Sequence, residues 1–569
     1  MDKQAARQTL EQIAAFLELK GETRFRVRAY QHAARALAGF TGDVAGGVQS
    51  GALARVKGVG PGTLEVVREL VATGRSSVLD ELREQIPPGL VEMLGIPGLG
   101  VAKVRQIHRV LGIESLGELD VAARDGRLAK LPRFGTKTAA NVRKAIVFLR
   151  QTSEFRLFHY ALAEAHGVQQ ALAGLEGVRA VEVAGSVRRC REVIRDLDLV
   201  VIAESDGARA SLVKRLGQVP GVTEFAGTEG TVTLRFASGT VVDVFLATPR
   251  DFGLAWVRAT GSEAHLAELD TRARACGVAL GPGAAFPDEA SVYRALGLDW
   301  IPPELREGAG ECDAAASGGL PTLVEQADLR GLLHCHTNYS DGASTVAEWA
   351  HACRTAGYEW IGITDHSESS PYGGGLAPTA IVSQRDEIDA VNQSTSGFRV
   401  MQGVEADILE DGTLDYGSDT LDRFDFVIGS IHSRFGMTET EMTRRVLSAM
   451  DDPHLTILGH PTGRLLLARE PYAIDLEQVL AKAALRGIAV EVNADPHRLD
   501  LDWRVVRQAR DSGVVISIGA DAHSTAGITN VAVGLGIARK GWVEAPQVLN
   551  TRDATAFLAF AQRRRTAAA

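Results

Sequence analysis

Cysteine is scarce, with five residues in 569 (Cys190, Cys276, Cys312, Cys335 and Cys353) and no C-x-x-C pair. Such spacing excludes a disulfide framework and a thiolate zinc site. Long apolar runs are missing too: none approaches the roughly 20 residues of a membrane span. The opening Met1-Asp2-Lys3-Gln4 leads into an amphipathic stretch without an apolar signal core. A cytoplasmic protein with no membrane partner is the expectation. Basic charge is also lacking overall, at a formal −10, which argues against nucleic-acid binding if the charge is evenly spread. It is not: residues 1–150 hold about 23 Lys+Arg against about 15 Asp+Glu, near +8, which leaves near −18 for the rest. A basic amino-terminal region ahead of acidic domains suits a module that grips phosphates. An ordinary solvated helical surface is the plainer alternative.

At 569 residues, 45% hydrophobic and 23% charged, the chain is a globular protein too long for one core, and three or four domains are expected. The basic region has helical periodicity, with Leu10, Ile13, Ala14 and Leu17 on one face and Phe25-Arg-Val-Arg-Ala-Tyr30 opening another helix. Two stretches, Val56-Lys-Gly-Val-Gly-Pro-Gly-Thr63 and Ile96-Pro-Gly-Leu-Gly-Val-Ala-Lys103, place Gly-apolar-Gly between helical segments. A tight hairpin there presents backbone N–H groups at a helix start, which binds phosphate oxygen without reading sequence. A single G-x-G is more simply a plain turn. Both segments resemble helix-hairpin-helix DNA-binding motifs, which makes Gly58, Gly60, Gly98, Gly100 and Lys103 candidate DNA contacts. In a third, Leu131-Pro-Arg-Phe-Gly-Thr-Lys137, Arg133 stands where the first glycine would be.

Farther along, an apolar strand ends in Gly185-Ser186-Val-Arg188-Arg189, and Asp196-Leu-Asp198-Leu-Val-Val-Ile202 begins another. Strand alternation puts Asp196 and Asp198 on one face. Asp243, in Gly239-Thr-Val-Val-Asp-Val-Phe-Leu246, belongs to a neighbouring strand. Carboxylates gathered on one face repel unless a divalent cation neutralises them, and hard oxygen ligands suit Mg²⁺ in two-metal phosphoryl transfer. D-x-D alone is weak. With G-S-x-R-R it becomes specific, because small residues admit a triphosphate and arginine supplies charge.

The last 240 or so residues carry nine candidate metal ligands: His334, His336, Asp341, His366, Glu405, His432, His460, Asp521 and His523. Most come directly after an apolar run such as Trp360-Ile-Gly-Ile-Thr or Val514-Val-Ile-Ser-Ile. Short strands alternate there with amphipathic helices such as Thr345 to Cys353, the signature of a barrel-like α/β domain. Ligands at strand exits around one barrel mouth can surround divalent ions, and imidazole with carboxylate suits zinc or manganese. A lone histidine would more often be a packed core residue. Cys335, between two candidate ligands on an extended strand, should face away from them. His351, His454 and His497 read as surface or helix residues, and Arg563-Arg-Arg565 as a solvated end.

The D-x-D region resembles the palm of the nucleotidyltransferase superfamily, particularly family X DNA polymerases, and Thr260-Gly-Ser262 matches that family's T-G-S turn. Asp328-Leu-Arg-Gly-Leu-Leu-His-Cys-His-Thr337 and the segments carboxy-terminal to it resemble a polymerase and histidinol phosphatase (PHP) domain. In this order they resemble the bacterial family X polymerases with a carboxy-terminal PHP domain. The resemblance implies a helical DNA-binding domain (1–85), a fingers-like helical domain (86–155), an α+β palm (156–250), a thumb (251–307), a flexible linker (308–325) and a distorted TIM-like barrel (326–569). It further implies two Mg²⁺ or Mn²⁺ ions on Asp196, Asp198 and Asp243, with Asp243 orienting the primer 3′-hydroxyl. Gly185, Ser186, Arg189, Gly261 and Ser262 would contact the incoming nucleotide, while Arg188 would be a palm salt bridge. In the barrel it gives His334, His336, Glu405 and Asp521 to one Mn²⁺ or Zn²⁺, Asp341, His366 and His523 to a second, and His432, His460 and bridging Glu405 to a third.

The implied activity is gap filling in DNA repair by a monomer using primer-template DNA and deoxynucleoside triphosphates, with a 3′ to 5′ exonuclease and abasic-site cleavage as a further activity. Departures from the family pattern lie at Arg195, at Arg258-Ala259 where relatives place Tyr-Phe, and at Leu266 where they carry asparagine. Two alternatives stand beside this reading: a DNA-binding PHP nuclease with a weak or inactive polymerase core, and a small-molecule phosphoesterase of histidinol phosphatase type. A 5′-deoxyribose phosphate lyase would need a tuned lysine, and Lys57 is the only one near the first hairpin.

Overall fold

The computed structural model describes residues 3–568 apart from 39, 41–43, 74, 153, 238, 282 and 371–373. Met1 and Asp2 of the amphipathic opening lie outside the described residues. The chain forms two compact units, residues 1–154 and 155–569.

Every regular element described in the first unit is a helix. In α1 (Lys3–Lys20) the expected face of Leu10, Ile13, Ala14 and Leu17 is buried, and α1 packs on α2 (Arg24–Ala38). The first hairpin delivers the chain into α3 (Pro61–Thr73), whose proline fits the first helical position because its missing N–H is not needed there. The Thr63 hydroxyl meets the Gly60 backbone N–H at 3.0 Å and so caps the turn. The second and third hairpins lead into α4 (Val101–Leu111) and α5 (Thr136–Thr152).

After a helix over Phe158–Ala173, the second unit forms a mixed sheet of β1 (Val178–Val183), β2 (Leu197–Ala203), β3 (Val222–Gly227), β4 (Thr231–Phe236) and β5 (Val241–Ala247), ordered β1-β2-β5-β4-β3. Strands β2 and β5 run parallel, and their register sets Asp198 beside Asp243. Helices α6 (Phe252–Thr260) and α7 (Glu263–Cys276) come next. The flexible linker expected at 308–325 is not what forms: residues Glu311–Ser317 make a helix, α8, with Glu311 and Cys312 buried. Glu311 accepts hydrogen bonds from the Gly308 and Ala309 backbone N–H groups (2.7 and 2.6 Å), and its other contact is the buried His265 imidazole at 2.7 Å. A small, polar composition resembles a tether, but one buried carboxylate organises it.

Seven parallel strands then close a barrel in chain order: β6 (Gly331–Cys335), β7 (Trp360–Ile363), β8 (Arg399–Asp407), β9 (Phe426–Ser430), β10 (Leu455–Leu458), β11 (Ala489–Asn493) and β12 (Ile516–Ala522). Helix α9 (Val346–Thr355) starts at a capping box in which Thr345 and Glu348 exchange hydrogen bonds. Cys335 lies in the apolar layer with Trp349 and Ile361, away from the barrel mouth. Helix α10 (Asn530–Lys540) packs on β12. The last helix, α11 (Ala554–Ala568), plugs the opposite end of the barrel, where Phe557 stacks on Trp360 at 4.5 Å between ring centres. The arginine tail is therefore not a free solvated end: Arg564 donates to the carbonyls of Leu455 and Met450, and Arg565 to that of Phe424. His454 is likewise not a surface residue; it is buried between Asp452 (2.8 Å) and Asp422 (3.0 Å). His351 and His497 are exposed.

Candidate active sites and nucleic-acid interface

At the barrel mouth, each of the nine sequence-selected residues sits at or just beyond a strand's carboxyl end, and they converge. Glu405 is the hub: one or other of its oxygens lies 2.8 Å from His366, 2.9 Å from His460, 3.3 Å from His334 and His432 and 3.8 Å from His336. Asp521 reaches His336 (3.4 Å) and His334 (3.7 Å), and Asp341 reaches His523 (3.3 Å) and His366 (3.6 Å). The donor atoms form three overlapping sets: His336, Asp341, His366 and His523; His334, His336 and Asp521; His366, Glu405 and His432. His336 and His366 thus each belong to two sets, a sharing the sequence did not reveal.

Several of these atoms are buried close to one another but without a hydrogen bond of proper geometry, namely His334 Nε2, both His336 nitrogens, His366 Nδ1, Glu405 Oε2 and His460 Nδ1. Unpaired buried nitrogen and oxygen are costly, and a cation would satisfy them, so the residues fit divalent ions. Burial holds the His336 imidazole down to about 3, which keeps it neutral. Burial alone would lower His366 too, but Glu405 and Asp341 outweigh it and raise it to about 10. Metal binding releases such protons. Three of the candidate ligands, His334, His460 and Asp521, hold positive φ, a strain typical of functional positions.

The local sequence pattern does not mark the supporting residues. Glu491, in the middle of β11, accepts from His334 Nδ1 at 2.6 Å and from the His460 backbone N–H at 2.7 Å. Asp407 holds Nδ1 of His432. Asp365 takes the Thr337 N–H (2.8 Å), the Ser340 hydroxyl (2.5 Å) and the Gln384 amide (2.5 Å), fixing the loop between His336 and Asp341. Phe435, Arg469 and Arg498 line, together with the candidate ligands, a cavity of about 290 Å³. An acidic residue inside an apolar strand was the available signal for Glu491.

In the palm, Asp198 and Asp243 lie side by side in register, and Asp243 accepts a 2.5 Å hydrogen bond from Thr233. Burial, then the charges of Asp196 and Asp243, pushes Asp198 up to about 7. Gly185 has φ +61, and a Cβ there would come 1.8 Å from Asp198 Oδ2. The Ser186 hydroxyl is buried without a partner. Arg188 pairs with Glu289 (2.6 and 2.9 Å) and lies 3.4 Å over the Trp256 ring, as its expected salt-bridge role requires. Arg189 differs from expectation: its guanidinium donates to Glu307 (2.9 Å) and to the Thr260 carbonyl (2.5 Å) at the T-G-S turn. The Ser262 hydroxyl is also engaged, capping α7 at the His265 N–H. Of the departures, Arg258 is held by Asp270 at 3.0 and 2.5 Å, Leu266 joins the thumb core, and Arg195 is exposed 3.6 Å from Asp196.

In the first unit, Gly58 (φ +104) and Gly98 (φ +82) make the turns, and ideal Cβ atoms on Gly60, Gly98 and Gly100 would meet nothing within 4 Å. The space beside these three glycines is open, although the Gly60 N–H is taken by Thr63. Lys103 Nζ folds back on the Gly98 carbonyl at 2.8 Å. Arg133 takes φ +68 and makes the third hairpin in the conformation glycine gives the other two. Lys103, Arg105, Arg109 and Arg133 line a cavity of about 890 Å³ beside the second hairpin.

A helical hairpin unit, a carboxylate-bearing palm and an imidazole-lined barrel define a two-site phosphoryl-transfer protein. Sequence comparison agrees. Residues 1–76 match the family described as helix-hairpin-helix domain, 90–146 the SAM-like helix-hairpin-helix tandem, 255–307 the DNA polymerase beta thumb and 333–495 the PHP domain. The chain is 34% identical to the DNA polymerase/3′-5′ exonuclease PolX of Bacillus subtilis (strain 168), over 98% of this chain and 99% of that protein. Shorter relatives cover the barrel region: a probable phosphatase of Thermoanaerobacter sp. (strain X514) is 27% identical over 38% of this chain and 89% of its own length. Another, from Caldicellulosiruptor saccharolyticus, is 30% identical over 33% of this chain and 78% of its own length. The chain belongs to the bacterial family X DNA polymerases that carry a carboxy-terminal PHP domain. Among the described residues, no helix is long and apolar enough to cross a membrane.

Proposed function

We propose that this protein fills short gaps in DNA by adding deoxynucleotides to primer 3′ ends and trims 3′ ends with a metal-dependent exonuclease in its barrel, with abasic-site cleavage as a further reaction of the same centre. The observation that carries the polymerase half is the in-register pairing of Asp198 with Asp243 beneath Gly185, next to the unpartnered buried hydroxyl of Ser186. Asp196, Asp198 and Asp243 hold two Mg²⁺ or Mn²⁺ ions, and Asp243 orients the primer hydroxyl. Gly185, Ser186, Arg189, Gly261 and Ser262 receive the triphosphate. Gly58, Gly60, Gly98, Gly100 and Lys103 hold DNA phosphates without reading bases.

In the barrel, His334, His336, Asp341, His366, Glu405, His432, His460, Asp521 and His523 hold up to three Mn²⁺ or Zn²⁺ ions. Such ions supply Lewis acidity for forming the nucleophile and for the charge that develops on the phosphate. Glu491 and Asp407 orient the imidazoles, and Arg498, 3.4 Å from Asp521, adds positive charge at the cavity edge. The working form is a cytoplasmic monomer.

A labelled primer-template with a one-nucleotide gap, incubated with Mg²⁺ or Mn²⁺ with and without deoxynucleotides, tests this reading. Asp198→Ala abolishes extension and spares trimming, and His336→Ala does the reverse. Extension surviving Asp198→Ala removes the palm assignment, and trimming unaffected by His336→Ala moves the nuclease elsewhere. A second reading, in which the palm is mainly a DNA-holding frame, draws on the engagement of Arg189 by Glu307. The same assay decides it.

A further inference from the structure

Helix α10 of the barrel backs directly onto the loop that carries the candidate phosphate contacts of the palm. An ideal Cβ on Gly536 would stand 2.9 Å from Cys190 Sγ and 3.1 Å from its Cβ, so a side chain there would crowd this approach. On its other side the same helix presses on the barrel, where a Cβ on Gly534 would come 2.6 Å from Ala494 Cβ and 3.1 Å from Ile518. At its end, Lys540 is fully buried, which is rare for lysine. Its ammonium donates to Glu307 (2.5 Å), to the Arg189 carbonyl (3.0 Å) and to the Glu304 carbonyl (3.3 Å). Glu307, 8% exposed, takes Arg189 Nε at 2.9 Å on the same oxygen, and Arg191 lies 3.4 Å from the other. Neighbouring Arg539 bonds Glu304 at 2.6 Å.

Two guanidiniums and an ammonium thus converge on one buried carboxylate, and the ammonium comes from the nuclease domain. Without Lys540, Glu307 is left to the arginines, and the Arg189 and Glu304 carbonyls lose a shared donor. Arg189 would then shift relative to the Thr260-Gly-Ser262 turn. We infer that Lys540 is a positioning residue for the polymerase reaction: through Glu307 and the Arg189 carbonyl, the PHP domain fixes the arginine that meets the incoming triphosphate. The inference rests on the proposed polymerase activity. It makes the barrel a structural part of the nucleotide site, independent of its own chemistry.

The test is gap filling by the full-length protein under varied deoxynucleotide, with trimming measured on the same preparations. Lys540→Met is expected to raise the deoxynucleotide KM about tenfold, on the scale of a lost charge-assisted hydrogen bond, with kcat and trimming within about twofold. Lys540→Arg restores most of the affinity. If Lys540→Met fails to fold, Glu307→Gln, which keeps the shape and removes the charge, takes its place with the same expected KM effect. His336→Ala, which removes trimming, leaves the KM unchanged. A wild-type KM in a folded Lys540→Met or Glu307→Gln protein overturns the inference, and so does parallel loss of extension and trimming in both. Failure of the unsubstituted protein to extend primers would instead sink the polymerase reading.

Discussion

Replacing Gly185 by alanine tests the palm at its tightest point. The added Cβ would lie 1.8 Å from Asp198 Oδ2, 2.5 Å from Cγ and 2.6 Å from Cβ, where real contacts essentially never fall under 3.0 Å. Asp198 must retreat by about 1.2 Å or the loop must open, because close-packed interiors have no slack to absorb such an overlap. The backbone adds a smaller penalty, since φ +61 costs an alanine about 1 to 2 kcal/mol. A displacement of about 1 Å in a reacting constellation costs roughly 10²-fold in rate. Gly185→Ala should therefore lower single-nucleotide gap filling about 100-fold, while trimming by the same preparation changes less than about threefold. The assay is extension at saturating deoxynucleotide, with melting monitored in parallel. Extension within about threefold of the unsubstituted protein would refute the view that Asp198 must occupy this position.

Two further predictions concern buried carboxylates. Burial would raise the Glu289 carboxyl, but the guanidiniums of Arg306 and Arg188 reverse this and hold it down to about 2. A group so depressed contributes stability above the ordinary glutamate range and loses it as pH falls from about 4.5 towards 2. Glu289→Gln should lower stability at neutral pH by about 3 to 5 kcal/mol, because two arginines lose their buried partner, and should flatten that acid limb. Unfolding curves at pH 7, 4 and 3 check it, and an unchanged acid limb contradicts it. Glu491→Gln removes the negative charge behind His334 and should weaken metal affinity of the barrel about 10 to 100-fold, read by trimming against Mn²⁺ concentration. Unchanged Mn²⁺ dependence would show that Glu491 only packs.

Much of both candidate sites was legible because each arises from strand geometry. Asp196 and Asp198 are two residues apart, and the barrel ligands come after apolar runs, so their common location could be read without coordinates. Glu491 was hidden by the same rule: it lies within Ala489-Val-Glu-Val-Asn493, where an apolar run reads as core. The segment 308–325 misled because glycine and alanine dominate it, whereas Glu311 and its partner His265 lie 46 positions apart in the chain. The engagement of Arg189 by Glu307 and Lys540 depends on contacts spanning 118 and 351 positions, which no local pattern carries. Arg133 shows the converse: a hairpin forms although the residue type argues against positive φ.

Both proposed activities require that one chain hold two separate sets of cations. Anomalous scattering from crystals grown with Mn²⁺ would reveal them. Peaks are expected around Glu405, enclosed by His334, His336, His366, His432 and Asp521, and separately among Asp196, Asp198 and Asp243. Mn²⁺ bound only elsewhere on the protein, or at neither cluster, would contradict the two-site arrangement.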